Sequence, residues 1–389
     1  MKRVMALSLL TLTSAAFGSR FTGSNDPKLF NPVANRPISA KFASLPLEGA
    51  LKDTTLAWSE TYWPSRLGGI AYRWNSKNPQ PFTYKLLTKE EVKNASQAQL
   101  SELSPAELYD IAMGDYSYSL TKKVLKEYTA KDLWWEGICH GWSLAASNYS
   151  EPEKVVVTNR DGVQVPLGSS DVKGLLAMHD AYNSKGFYAR IGDRCDVRGK
   201  VAGEELPEDG PIGVPKPSDA NKDKCSDVNA GSFHLILANM IGINSQGFVA
   251  DVDRYNDVWN QPVKAFDAEI VGTLAITEKE AKSGVKTKLH VKTSMTYGEE
   301  LIFYTPEDEA NGEIGFVSKD PVTNTPRQMN TTRHYEYALE LDVNGDVIGG
   351  TWISDTRPDI LWTKKKDPVF RDGKFPLSGL SRIYKPVTH

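Results

Sequence analysis

The chemistry of this chain centres on one cysteine, Cys139, which lies in the sequence GICHGWSLAA. Gly137 and Gly141 stand close on either side, and the small residues that follow predict that a helix begins at the cysteine. A helix N-terminus and a nearby imidazolium both lower the pKa of a thiol, and the thiolate is the attacking form. The sequence therefore predicts Cys139 as a nucleophile, in preference to a buried structural cysteine.

A thiol nucleophile needs a base, and the chain offers six histidines. His234 stands near the start of the apolar run SFHLILANMIGI, which has the length and composition of a buried strand. A strand end is a rigid platform for an imidazole, so we predict His234 as the general base and acid. Asp251, Asp253 or Asn256 on the following segment would orient the ring, and spacing alone does not choose among them.

The elements that position these residues change in character along the chain. Ser104 is a predicted N-cap that forms a capping box with Glu107, Pro105 is the first helical residue, and Gly114 ends the helix. This order predicts an α+β fold, in which a helical first half carries the nucleophile and packs on a largely antiparallel sheet. Helices are predicted from 105, over 120–128, from 139 and over 171–186, and strands over 232–243, 247–255, 268–277, 287–297, 300–306 and in a hairpin at 335–354 that turns at Asn344-Gly345.

Composition and the N-terminus indicate an exported protein. Residues 1–18 combine a basic start, a short apolar run and small residues, the pattern of a signal peptide. No later apolar run approaches the roughly 20 residues that a membrane-spanning helix needs. The net charge of -3, with both signs interspersed, gives no electrostatic case for nucleic-acid binding. We predict a secreted protein, extracellular or periplasmic.

Three cysteines and several shifts in composition suggest how the exported chain is organised. In an oxidising compartment we expect Cys195 and Cys225 to form a disulfide that closes a polar loop, leaving Cys139 free. The alternative is that one of them pairs with Cys139. The predicted parts are an N-terminal extension or prosegment over 19–60, a catalytic core over 61–265 that includes the loop 195–225, and a β-rich C-terminal part over 266–389.

Several motifs together resemble the transglutaminase elicitor family, which includes an oomycete cell-wall enzyme and marine-bacterial relatives. The resemblance covers about residues 60 to 365 and is carried by GGIAYRW, LSPAELYDIAMGD, WWEGICHGWSLAA, FHLILANMIG, DVWNQPV, LELDVNGDVIGGTW and RPDILW. The family pattern shares Cys139, His234 and Asp251 but not position 253, so the resemblance favours Asp251 as the third residue. It implies a papain-like or transglutaminase-like catalytic arrangement. The segment VWNQPVKAF, residues 258–266, resembles the surface peptide by which plants perceive the oomycete enzyme, but KAFDAEI departs from it.

The reaction that the resemblance implies is acyl transfer from a protein glutamine to a lysine or polyamine through a cysteine thioester. The main-chain N–H of Cys139 and an indole N–H, of Trp134 or Trp135, would stabilise the oxyanion. No organic cofactor is expected. Two other functions fit the same residues, a papain-like cysteine peptidase or amidase, and a non-catalytic secreted surface protein.

Calcium is the cofactor that the family implies, and the sequence gives two weak candidates for its site. DVNGD, residues 342–346, is similar to a calcium loop, but Ile353 stands where the loop needs a glutamate, so a hairpin turn is favoured. The other candidate is an acidic loop with Asp193, Asp196, Asp223 and Asp227.

Overall fold

The structure is a computed structural model that describes residues 21, 23–76, 81–133, 135–193, 227–252, 258–301 and 329–387. Its helices are α1 Lys89–Asn94, α2 Gln97–Leu100, α3 Pro105–Met113, α4 Ser119–Glu127, α5 Cys139–Asn148, α6 Ser169–Tyr182, α7 Ala230–Ile236, α8 Glu278–Lys282 and α9 Leu380–Ile383. Its strands are β1 Glu48–Ala50, β2 Val155–Thr158, β3 Gln164–Leu167, β4 Tyr188–Ile191, β5 Phe248–Asp251, β6 Asn260–Thr273, β7 Thr287–Gly298, β8 Asn330–Leu341, β9 Val347–Trp352 and β10 Ile360–Lys364.

The fold is the predicted α+β type, with helices packed on an antiparallel sheet. Seven strands pair in the order β4-β10-β5-β6-β7-β8-β9, and β1 adds to β6. One hydrophobic core lies among α3 to α6 and the C-terminal residues around α9. A second core lies between the sheet, α7 and the N-terminal segment. Helix α5 belongs to the first core and also contacts β5 and β6, so the nucleophile's helix lies where the two cores meet.

Helix α3 forms with the predicted start and end. The Ser104 hydroxyl accepts a hydrogen bond from the Glu107 N–H, and the Glu107 carboxylate accepts one from the Ser104 N–H. Pro105 occupies the first turn, where its missing N–H costs nothing. Gly114 ends the helix with a φ of 73°, a left-handed value that glycine adopts without strain.

Helix α4 is capped by a residue of α3 and not by one of its own. Asp110 is buried, and its carboxylate accepts hydrogen bonds from the Leu120 and Thr121 N–H groups at 3.0 and 2.9 Å. We expect Asp110→Ala to lower the free energy of unfolding by about 1–3 kcal/mol, because buried donors lose their acceptor. Urea denaturation measures this against Asp267→Ala, which removes an exposed carboxylate from β6. Equal midpoints for the two variants would contradict the capping role.

The run from Ser232 to Ile243, predicted as a strand, is helical, and the prediction was wrong. Helix α7 covers its first part and a π-helix, Leu237–Ile243, continues it. Asn229 caps the N-terminus by accepting a hydrogen bond from the Gly231 N–H at 2.9 Å. Every residue of α7 is buried, so the polar face that would reveal a helical period is missing.

The predicted hairpin forms, but its turn is longer than the two residues Asn344-Gly345. Strand β8 ends at Leu341 and β9 begins at Val347. Only Gly345 has a positive φ, at 74°, and the Asp342 carboxylate accepts hydrogen bonds from the main chain of Asn344 and Asp346 at 2.8 and 2.9 Å. An aspartate turn therefore replaces the tight glycine turn.

Two other predicted elements shift or fall partly outside the described residues. Helix α6 ends at Tyr182 and not at Gly186, with Asn183 as its C-cap. Of the predicted strand over 300–306 only the first two residues are described, with Glu300 in an isolated bridge to Glu60.

The N-terminal segment after residue 22 packs into the fold. Phe30, Leu45 and Leu51 are buried in the second core, and β1 pairs with β6. The boundary predicted between residues 265 and 266 falls within β6. Removal of residues 19–60 as a prosegment stays a prediction. Among the described residues no helix is long and apolar enough to cross a membrane.

Candidate active site

The N-terminus of α5 is held tightly between two other parts of the chain. A Cβ on Gly137 would lie 2.4 Å from the carbonyl oxygen of Tyr62, and one on Gly141 would lie 2.1 Å from a carbonyl oxygen of α6. The Ile138 N–H donates to the same Tyr62 oxygen at 2.7 Å. Only glycine permits these approaches, and together they place Cys139 at the first position of the helix.

The segment 57–63, which receives the start of α5, has an unusual backbone. Ala57 and Trp63 have φ values of 55° and 52°, a region that costs free energy for residues other than glycine. The buried Lys173 ammonium of α6 donates to the Ser59 carbonyl oxygen at 2.9 Å. The segment is therefore fixed to α6 by a charged hydrogen bond.

The sulfur of Cys139 contacts the start of β6. Its S–H faces the Val258 carbonyl oxygen at 3.6 Å, and the side-chain Nδ2 of Asn260 donates to the sulfur at 3.6 Å. The Oδ1 of Asn260 in turn accepts a hydrogen bond from the Trp362 indole of β10 at 2.7 Å. Cys139 is half-buried and, among the described residues, is a free cysteine.

The electrostatics of this pocket differ from the expected low thiol pKa. Burial raises the pKa of Cys139 to about 12, and the carboxyls of Glu300 and Asp251 add to the rise. The side-chain and main-chain N–H groups of Asn260 lower it by hydrogen bonding to the sulfur. In this arrangement the thiol keeps its proton at neutral pH, so attack requires a base.

Asp251 lies beside the sulfur. It is the last residue of β5 and is fully buried. Its Oδ1 accepts a hydrogen bond from the Trp259 N–H at 3.0 Å, and it pairs with Asn260 in the β5–β6 register. Cys139 and Asp251 therefore contact the same short stretch of chain. Positions 253 and 256, the alternatives left open by spacing, lie outside the described residues.

His234 makes its side-chain contacts in the second core. Its Nδ1 hydrogen-bonds to the Tyr337 hydroxyl at 2.8 Å, and its ring stacks on Phe42 with centroids 5.9 Å apart. It lies in a buried helix that packs on β8 and β9, and burial lowers its pKa to about 4. No hydrogen bond joins His234 to Cys139 within the described part of the chain, and the predicted triad stays a prediction.

The other predicted site residues are only partly described. Trp134, Cys195 and Cys225 lie outside the described residues, so the predicted disulfide stays a prediction. Trp135 is half-buried and its indole makes no hydrogen bond within the described part of the chain. The indole that reaches the site is that of Trp362, which sequence reasoning did not single out.

Glu300 is a second residue that sequence reasoning missed. Its main-chain N–H donates to the Gln261 Oε1 at 3.1 Å, next to Asn260 in the chain. Its Oε2 is buried and has no hydrogen-bond partner among the described residues. Burial raises the pKa of the Glu300 carboxyl to about 8, and the same carboxyl raises the thiol pKa of Cys139. No sequence signal marks it, since its neighbourhood is set by tertiary packing.

The segment 258–266 does not lie on the surface as the resemblance implied. Asn260 to Val263 and Phe266 are buried within β6, and Trp259 is half-buried. The segment contributes Val258 and Asn260 to the pocket of the nucleophile. The segment therefore lines the pocket of the nucleophile, and most of it is not exposed.

Calcium binding stays a prediction. Among the described residues, no group of three or more His, Cys, Asp or Glu side chains is arranged to hold a metal ion. The Asp342 carboxylate is engaged by main-chain N–H groups of its turn. Asp193 accepts a hydrogen bond from Ser24, and Asp227 is paired with Arg357, while positions 196 and 223 are not described.

Comparisons with known proteins agree with the motifs. The family model for the transglutaminase elicitor matches residues 132–373, more than half of the chain. No curated protein matches the chain significantly. The fold is similar to the crystal structure of the GP42 transglutaminase from Phytophthora sojae, with a TM-score of 0.61, 20% identity and coverage of 93% of this chain and 97% of that one. The chain belongs to the transglutaminase elicitor family.

Proposed function

We propose that this protein is a secreted protein-glutamine γ-glutamyltransferase that uses Cys139 as its nucleophile. The observation that carries the proposal is the placement of a free thiol at the first turn of α5, against the Asn260 amide and beside Asp251. Family membership makes acyl transfer the first reaction to consider. The substrates are proteins with an accessible glutamine, and the acceptors are lysine side chains or polyamines.

The reaction proceeds in two acyl transfers. The thiolate attacks the γ-carboxamide carbon, a C–S bond forms, the C–N bond breaks, and the leaving nitrogen takes a proton and departs as ammonia. The amine of the acceptor then attacks the thioester, a C–N bond forms, the C–S bond breaks, and the proton lost by the amine returns to the thiol through the base.

Two residues are candidates for the base of this mechanism. The resemblance gives this role to His234, which can serve only if α7 and the sulfur approach each other. The Glu300 carboxyl is the second candidate, because its buried Oε2 has no hydrogen-bond partner among the described residues and its charge raises the thiol pKa of Cys139. A carboxyl with a pKa of about 8 is well matched to proton transfer near neutral pH.

Incorporation of a labelled primary amine into casein tests the function directly. We expect label to accumulate in intact casein with release of ammonia, and protein alkylated at Cys139 by iodoacetamide to be inactive. Cleavage of casein without label would favour the peptidase. Neither label, ammonia nor cleavage, with or without added calcium, would contradict enzymatic function and favour the surface protein. Chelator in a parallel reaction decides whether calcium is required.

A further inference from the structure

The Asn260 side chain links the sulfur of Cys139 to the indole of Trp362. Nδ2 donates to the sulfur at 3.6 Å and Oδ1 accepts from the indole Nε1 at 2.7 Å. An indole N–H only donates, so it must face the amide oxygen. The amide nitrogen is thereby directed at the sulfur, and the contact with Trp362 removes the usual ambiguity between the two ends of an asparagine amide.

The Asn260 amide is a side-chain donor to the atom that becomes negatively charged, and hydrogen bonding from Asn260 lowers the thiol pKa of Cys139. Asn260 is buried and begins β6, where it pairs with Asp251 of β5. Donors on a paired strand need little reorganisation when charge develops.

Trp362 is positioned by strand pairing on both sides and by ring packing. It pairs with Val249 of β5 on one side and with Arg190 of β4 on the other, within the middle of β10. Its ring packs near that of Tyr188, with centroids 5.9 Å apart. The sheet order β4-β10-β5-β6 therefore places the indole and the amide in fixed relative positions.

We propose that Asn260 is a catalytic residue that donates hydrogen bonds first to the thiolate and then to the oxyanion of the tetrahedral intermediate, with Trp362 as its positioning residue. The second donor to the oxyanion is the main-chain N–H of Cys139, since the first N–H groups of a helix have no partner within the helix. As the C–S bond forms, negative charge moves from the sulfur to the carbonyl oxygen of the substrate. The Asn260 amide N–H then donates its hydrogen bond to that oxygen, and no proton leaves the amide. The oxyanion role of Asn260 rests on the proposed function, but its hydrogen bond to the thiolate does not.

Three variants test the two roles separately. Asn260→Ala removes the side-chain donor, and Asn260→Asp keeps its shape without the donor. Trp362→Phe removes the hydrogen bond to Oδ1 together with part of the ring. Asn94→Ala, on the exposed face of α1, is the matched control. Alkylation of Cys139 at pH 8, followed by peptide mass spectrometry, reports thiolate stability independently of catalysis. Thermal unfolding identifies any variant that fails to fold.

We expect both Asn260 variants to slow alkylation by about tenfold, equivalent to about one unit of thiol pKa. Loss of one oxyanion donor lowers kcat by about 10²–10³-fold, and KM should change little. Trp362→Phe should lower both the alkylation rate and kcat, by a smaller factor than the Asn260 variants. If a folded Asn260→Asp variant keeps the wild-type alkylation rate and kcat, the proposal is wrong. It is also wrong if Trp135→Phe causes the larger kcat loss, because that indole would then be the donor.

The two readouts separate failure of this proposal from failure of the proposed function. If the wild type transfers no amine, the alkylation rates still decide whether Asn260 stabilises the thiolate. If the wild type is active and alkylation slows while kcat is unchanged, Asn260 serves the resting thiol alone and its oxyanion role is overturned.

Discussion

Cys139→Ala is expected to lose amine incorporation almost completely, with kcat falling by at least about 10³-fold. The thioester requires this sulfur, and no other described cysteine is available to form it. The substitution removes one heavy atom from a half-buried position, so the temperature of thermal unfolding should change by only a few degrees. Initial rates with a fluorescent amine and casein measure the loss.

Ser147→Ala is the matched control for this variant. It also removes one side-chain heavy atom from α5, at a buried hydroxyl that donates to the Ser143 carbonyl oxygen at 2.9 Å, two turns from the nucleophile. We expect near wild-type activity. Substantial amine transfer by folded Cys139→Ala would show that the nucleophile lies elsewhere in the chain.

Glu300→Gln is expected to lower kcat/KM by about 10²-fold or more, because it removes the titrating carboxyl that acts on the sulfur. The glutamine side chain has the shape of the glutamate it replaces, and its amide carries no charge. Since the pKa of Glu300 is raised to about 8, the base form accumulates as pH rises through 8. The wild-type rate should therefore rise over this range, and the rise should be absent from Glu300→Gln. A pH series of initial rates measures both.

The corresponding variant at the predicted histidine is His234→Asn. We expect this variant to lose stability, by about 1–3 kcal/mol, because the buried Tyr337 hydroxyl loses its hydrogen bond to the imidazole and keeps only the one to Thr293. Activity of the folded fraction should be reduced less than in Glu300→Gln. The opposite ranking, with His234→Asn folded and inactive and Glu300→Gln active, would identify the imidazole as the base and require α7 to move.

Stability should also depend on Glu300. A carboxyl whose pKa is raised in the folded state binds its proton more tightly there than in the unfolded chain. Its contribution is present below the unfolded pKa, near 4.5, and is lost as pH rises through about 8. Urea denaturation from pH 5 to 9 should show a decline in the free energy of unfolding that is smaller in Glu300→Gln. An identical decline in both proteins would contradict the raised pKa.

The parts of the fold that were predictable are those with local signals. Ser104 and Gly114 mark the two ends of α3 through capping chemistry that depends only on neighbours in the chain. The small residues after Cys139 are a local signal of the same kind, and the helix begins at the predicted residue.

The misassigned segment shows the limit of pattern reading. A run of residues that is buried on every side has no polar face, so the spacing of its apolar residues does not distinguish a strand from a helix. The capping residue Asn229 was the available signal, because its side chain accepts from the Gly231 N–H as an N-cap does. That assignment decided where His234 was expected to lie.

The candidate site required information that the sequence does not hold locally. Asn260 and Trp362 are 102 positions apart and meet only because β10 lies next to β5 in the sheet order. Glu300 affects the thiol pKa of Cys139 from a position that is set by the packing of its segment against Glu60 and Gln261. Such partners depend on strand order and register, which motifs quoted one at a time do not specify.

The two glycine contacts at the start of α5 fix which groups are able to move during turnover. Main-chain atoms of Tyr62 and of α6 press on the helix from two directions at distances that leave no room for a methyl group. The nucleophile is therefore stationary relative to this framework. Substrate, solvent and any mobile proton carrier must travel to it, and a change that loosened either glycine contact would displace the sulfur itself from its partners.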